Sequence, residues 1–303
     1  MRIPLEIMSL VIEEVEDIQS FVGLSQTSKP LQIEAERHLY RSLTGGDGTK
    51  RYKCLSSIKK CPRRAKYVRV YHDHSVAHKQ HRSMWKLIEK TLPLMVNLKD
   101  LAFRYIIGGG PHTVIFPRKY APRLEKFTWS VNASSDYYEE RNGRPFVAQA
   151  LKFLEGQTQL KYLHWQPSPY AEPNPKPSTL TLVPHLDTLI GDIETIQTYL
   201  PGRDSITTLQ LFTGLGTRSF GRHFLGETFD RLSTQLKRLK YLSIQPLSER
   251  FWVGYDEFYH YGILRHIAPY LHSLETLRIP SLTELEIVSC SMKKCFSNLT
   301  SLS

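Results

Sequence analysis

A frame of Leu-x-x-Leu-x-Leu recurs through most of this chain, and no other feature limits its possible folds as much. Apolar residues fill the first, fourth and sixth positions at Leu98/Leu101/Phe103, Leu124/Phe127/Trp129 and Leu160/Leu163/Trp165. The series goes on through Leu186/Leu189/Gly191, Ile206/Leu209/Leu211, Leu239/Leu242/Ile244 and Leu274/Leu277/Ile279. Ala65/Val68/Val70 fits upstream, and another frame starts at Leu299. First positions lie 20 to 36 residues apart, with a mean of 29. Leu282/Leu285/Ile287 also fits, as an overlapping variant or part of a loop. Alternate residues of a strand share a face, so the fourth and sixth positions point together into a core. The segments between frames carry helical periodicity at 82–92, 146–155, 191–200, 228–236 and 261–271. One strand and one helix cannot cover their own apolar surface, whereas stacked copies share a continuous core.

This spacing resembles leucine-rich repeats, and in its irregularity the divergent sets that follow F-boxes in fungi. The resemblance implies an α/β solenoid, an irregular leucine-rich-repeat array over residues 65–303. The array stops inside a repeat, as a truncated member of such a family would. The variable strand positions would line its concave face. On that face Arg104, Lys126, Tyr162, His164, Gln210, Phe212, Tyr241 and Arg278 are the candidates for holding a protein substrate. Polar residues mixed with aromatics suit a protein partner. The face is not strongly basic, which disfavours nucleic acid there. The Pro-rich stretch 166–178 reads as an extended surface loop. Residues 245–261 carry Phe251, Trp252, Tyr255, Phe258, Tyr259 and Tyr261, either a contact patch or local cover for the core.

Residues 1–43 read as three short amphipathic helices. Pro4 suits a first helical turn, and Leu5, Met8, Val11, Ile12 and Val15 recur behind it at helical spacing. Asp17 caps a second helix with Ile18, Phe21, Val22 and Leu24. Ser28 and Pro30 open a third, with Leu31, Ala35, Leu39 and Leu43 at intervals of four, and glycines at 45, 46 and 48 end it. Three helices of this size bury little by themselves. The segment resembles an F-box. Ile3-Pro4-Leu5-Glu6-Ile7 stands where that family opens with Leu-Pro-x-Glu-Ile. Leu39-Tyr40-Arg41-Ser42-Leu43 stands where it closes with Leu-Trp-Arg-x-Leu. Leu31 and Tyr40 replace the family's tryptophans, and Ser28 its cysteine. The resemblance implies docking on a Skp1-like adaptor, and through it a cullin, by Pro4, Leu5, Ile7, Leu24, Leu39 and Tyr40. The chain would then be a substrate-recognition adaptor of an SCF-type ubiquitin ligase. The alternative is a non-catalytic interaction scaffold whose N-terminal helices cap the array.

The net charge of +11 is unevenly placed. Residues 1–43 hold four basic and seven acidic residues, and residues 44–82 hold eleven basic and two acidic ones. Residues 44–64 read as a basic linker, whose Lys59–Arg64 run has the look of a weak nuclear-import signal. A nucleic-acid site within 44–82 is a third reading, and it implies steeply salt-dependent binding.

Other chemistry finds no support. His74, His78 and His81 would share one face of a helix, but no acidic cluster or HExxH accompanies them, so they read as loop histidines rather than a metal site. Gly108–Gly110 and Gly214–Gly216 lack the Lys-Ser/Thr of a phosphate loop. No nucleophile elbow or paired-carboxylate site stands out, so neither an enzyme nor a cofactor is expected. Four cysteines (Cys54, Cys61, Cys290, Cys295) make no disulfide framework. Two glycosylation sequons, at Asn132 and Asn298, carry no weight in an intracellular chain. No apolar run reaches the roughly 18 residues of a membrane helix. With no signal-peptide pattern, a cytoplasmic or nuclear location is expected.

Overall fold

The computed structural model describes residues 4–45, 47–74, 81–106, 116, 122–131, 144–166, 184–213, 222–246, 263–279 and 301–302. The readings above that fall on 167–178, on 247–261, on Leu282–Ile287, on Cys290 and Cys295, on the two glycine stretches, on His78 and on both sequons lie outside these residues.

The chain opens with helices α1 (Leu5–Glu13), α2 (Ile18–Leu24) and α3 (Lys29–Arg41). Asp17 caps α2 by accepting a hydrogen bond from the Ser20 N–H at 2.9 Å. Then come β1 (Ser42–Leu43), α4 (Gly48–Lys60), a 3-10 turn over Pro62–Tyr67, β2 (Val70–His74) and α5 (His81–Thr91). The rest alternates as β3 (Asp100–Ile106), β4 (Lys126–Val131), α6 (Arg144–Glu155), β5 (Tyr162–Gln166), β6 (Thr188–Gly191), α7 (Ile193–Tyr199) and β7 (Thr208–Thr213). It closes with α8 (Arg222–Arg231), α9 (Ser233–Leu236), β8 (Tyr241–Pro246), β9 (Thr276–Arg278) and β10 (Ser301–Leu302). The strands form one open sheet in chain order, β1 to β10, each parallel to the one before. This is an α/β architecture. No described helix is long and apolar enough to cross a membrane.

The register explains the recurring frame. Leu101, Phe127, Leu163, Leu189, Leu209, Leu242 and Leu277 are successive partners across the sheet. Phe103, Trp129, Trp165, Gly191 and Leu211 make a second row beside them. Both rows are buried in one cluster with Trp85 and Ile88 of α5, Ala150 and Leu154 of α6, and Ile196 of α7. Phe103 lies 5.5 Å from Trp85, 5.6 Å from Trp129 and 6.1 Å from Tyr71, ring centre to ring centre. Such tilted aromatic contacts add to the area they bury.

Gly191 interrupts the second row for a steric reason. A Cβ there would stand 2.4 Å from Thr195 Cγ2 and 2.8 Å from the Trp165 carbonyl oxygen. The Asp192 side chain accepts from the Thr195 N–H at 2.8 Å and starts α7 tight against the strand.

Two expectations need correction. The first frame is Val68/Tyr71/Asp73 rather than Ala65/Val68/Val70. Tyr71 and Asp73 are the partners of Leu101 and Phe103, and Val70 lies on the opposite face. An aspartate in a slot that elsewhere holds Phe, Trp, Leu, Ile or, once, Gly disguised the repeat. Residues 44–64 are not a linker either. They form α4 and the start of the 3-10 turn, and Leu55, Ile58 and Ala65 enter the main core.

Arg51 of α4 compensates Asp73. Its Nη1 lies 2.8 Å from Asp73 Oδ1, with both side chains buried, and the Tyr71 hydroxyl donates to Asp73 Oδ2 at 3.0 Å. The Arg51 contact is a charge contact rather than an aligned hydrogen bond, because Nη1 and Oδ1 both lack a hydrogen-bond partner. Burial pushes the Asp73 carboxyl up, and the Arg51 charge opposes that.

Two stability tests follow from this packing. Gly191→Ala is expected to cost about 1–3 kcal/mol in urea unfolding, since its Cβ meets backbone that cannot yield freely. Arg51→Met alone leaves a buried carboxylate uncompensated and is expected to cost about 3–5 kcal/mol. The triple variant Arg51→Met/Tyr71→Phe/Asp73→Leu removes every polar partner together and should recover most of that loss.

Candidate functional site

Two surfaces offer themselves to partners: the outside of the helical unit and the free face of the sheet.

The helical unit has a small core of its own. Ile12, Phe21 and Ala35 are buried together, and Val15, Leu24, Leu31 and Leu39 pack against them. Helix α1 (LEIMSLVIE) is apolar over more than half of its circumference, more than one inward face can absorb. The surplus stays outside. Ile7, Leu10, Val11, Ile18 and Val22 are between 38% and 70% exposed, and they are five of the seven large apolar side chains exposed among the described residues.

The six residues proposed for adaptor contact separate in this structure. Pro4 and Ile7 are exposed, and the side chain of Leu5 lies outside the description. Leu24 and Leu39 turn inward onto the unit's core. Tyr40 faces the array: it packs on the main core, its hydroxyl is 2.7 Å from Ser57 Oγ, and the Arg64 guanidinium lies 5.3 Å from its ring centre. Val11, Ile18 and Val22, assigned by spacing to inner faces, are exposed instead. The helices are too short for all their apolar positions to reach one small core. The wide apolar surface of α1 was the signal for the outer residues.

A buried carboxylate joins this unit to the array. Glu36 of α3 takes Arg64 at 2.7 Å and Arg63 at 2.9 Å, and Gln32 donates to it at 3.1 Å. Burial pushes the Glu36 carboxyl up, but the hydrogen bond and charge of Arg64, with the charge of Arg63, outweigh it and hold the carboxyl below its usual range.

The free face of the sheet carries the remaining strand residues. Asp100, Lys126, Tyr162, Thr188, Thr208, Tyr241 and Thr276 make one row across it. Ala102, Thr128, His164, Ile190, Gln210, Ser243 and Arg278 make the next. Arg104 and Phe212 come two residues further along their strands. All eight residues proposed for this face therefore share it. Lys126 and Arg278 are exposed, and Arg104, Tyr162, His164, Gln210, Phe212 and Tyr241 are half-buried. The His164 ring stacks on Phe212 at 5.6 Å over Ile190, and Gln210 donates to Gln245 at 2.9 Å. Strand β2, whose frame had been misplaced, adds His72 and His74 beside Ala102 and Arg104. His74 ends a strand, so it does not share a helical face with His81, the first residue of α5. Among the described residues no three His, Cys, Asp or Glu are grouped to hold a metal ion.

No protein-family model matches the chain, and no curated protein matches it.

The Glu36 contact has a pH signature. A carboxyl whose folded pKa is depressed contributes stability above its unfolded value and loses it as pH falls through the folded one. Glu36→Gln is therefore expected to lower stability at neutral pH by roughly 1.5–3 kcal/mol. That gap should close below the carboxylate range in urea melts run across pH.

Proposed function

We propose that this chain is a non-catalytic substrate-recognition adaptor of an SCF-type ubiquitin ligase. In this reading residues 1–43 are an F-box that docks on a Skp1-like adaptor, and the repeats that follow are a leucine-rich array whose free face holds a protein substrate. One observation carries the reading. Five of the seven large apolar side chains exposed among the described residues lie on α1 and α2. Monomeric proteins seldom leave such a cluster uncovered unless another surface meets it. The F-box-like opening and closing motifs name the partner. The contact then centres on Ile7, Leu10, Val11, Ile18 and Val22, with Leu24 and Leu39 shaping the unit from within. Ubiquitin transfer would belong to the partner enzymes, and this chain would contribute proximity.

A scaffold with a helical cap is the second reading. The observation in its favour is the junction: Tyr40, Glu36 and the β1 edge tie the helical unit to the array. Removing residues 1–43 would damage the array under either reading, so point substitutions must decide. Val11→Asp and Ile18→Asp add charge to exposed positions and should leave the thermal melt unchanged. Each is expected to weaken a Skp1-like adaptor complex at least tenfold in co-expression and size-exclusion chromatography, as loss of an interface anchor does. A complex indifferent to both, or none with the folded wild type, leaves the scaffold.

A further inference from the structure

At the N-terminal end of the free face, Arg104 has no anionic partner among the described residues. Its half-buried guanidinium makes no ion pair or hydrogen bond among the described residues, and its Nε is shut off from solvent without a partner. The β3–β4 register breaks between Phe103 and Ile106, where Arg104 sits, and the adjoining strand β4 carries the small, buried Thr128 and Ser130. His74 is its partner in β2, and its charge acts on His74, Tyr162 and His164 alike.

The neighbours are occupied elsewhere or aim donors at the same place. Gln166 accepts from Ser130 Oγ at 3.0 Å. His164 Nε2 remains buried without a partner. Of the nearby carboxylates, Asp100 lies 3.0 Å from His72, and Asp73, held by Arg51 on the core side, favours the charged form of His74. Lys126 adds a further positive charge at the rim, and Arg51 acts on His74 through the sheet. A guanidinium Nε shut off from solvent and an orphaned imidazole nitrogen are costly unless something pairs with them. Arginine meets carboxylate and phosphoryl oxygens through two parallel hydrogen bonds.

We infer that Arg104, with His74 and His164 beside it, is an anion-binding site that receives the phosphoryl or carboxylate group of a protein bound on this face. The inference rests on the partner-binding reading of that face. Burial holds the free His164 ring down to about 4, and burial together with the Arg104 charge holds His74 below its usual range. A bound anion favours the charged imidazoles. Binding therefore takes up protons and tightens as pH falls.

The test uses the full chain labelled at histidine for NMR. Inorganic phosphate and acetate are titrated separately at constant ionic strength. Saturable shifts of the His74 and His164 ring signals are expected with at least one anion, at lower concentration as pH falls. Arg104→Met should weaken binding about tenfold or more, and Arg104→Lys less. Saturation by phosphate alone assigns a phosphorylated partner, and by acetate alone an acidic one. Shifts that never saturate, or that persist unchanged in Arg104→Met, overturn the site. Thermal melts check that the variants fold, and His164→Phe carries the test if Arg104→Met does not. The adaptor assay is blind to Arg104, so this site and the adaptor reading can each fail alone.

Discussion

The rest of the structure depends on a column of backbone carbonyls at the strand starts. The Lys99 carbonyl accepts from the N–H groups of Glu125 and Lys126 at 2.8 and 3.0 Å. Glu125 does the same for Lys161 and Tyr162, Lys161 for Asp187 and Thr188, and Asp187 for Thr207 and Thr208. Thr207 and Lys240 continue the column to Glu275 and Thr276. Each strand is thereby set against its predecessor at one fixed residue. Side chains alternate along a strand, so a slip of one residue would carry every core leucine to the free face. Ion pairs flank the column, Lys99 with Glu125 at 2.8 Å and Lys240 with Glu275 at 3.2 Å. They are exposed and add little energy. The backbone pairing and the buried rows beneath it do the positioning.

That fixed register makes the free face a shaped surface rather than a set of loose loops. It stacks His164 against Phe212, sets Arg104 beside His74, and places His72 against Asp100. The loops between strands vary greatly in length, yet the paired rows stay aligned from β3 to β9. Variation in the loops therefore does not disturb the spacing of groups a partner would meet.

The junction between helical unit and array works differently. Here a charge is buried beside the apolar contact of Tyr40: Glu36 lies between two arginines, and just behind it Asp73 lies against Arg51. Such contacts contribute modestly to net stability, but removing one partner is severe. They fix the orientation of α3 and α4 on the first strands. The helical unit is thus held from its inner side, which leaves the apolar outer side of α1 and α2 uncovered.

Much of this could be read from the residues. The periodic leucines marked β3 to β9 because their side chains and register obey one rule, and the helices at 81–91, 144–155 and 193–199 lay where the periodicity put them. The eight residues of the free face followed from the same alternation. The first repeat was illegible, because Asp73 is tolerable in a core only when Arg51, 22 positions earlier, reaches it. The chain from 44 to 64 looked like a linker because its charge hides Leu55 and Ile58. Periodicity within α1 and α2 named the apolar residues but not their direction, since both sides of α1 qualify. Leu24 and Leu39 turned inward and Val11 and Ile18 outward, because three helices around one small core have room for only a few side chains, and Tyr40 turned to the main core instead. The sequence by itself determined which residues alternate and so share a face. Which face is covered, and by what, was decided only by the packing of elements distant in the chain, because burial depends on neighbours that local spacing does not contain.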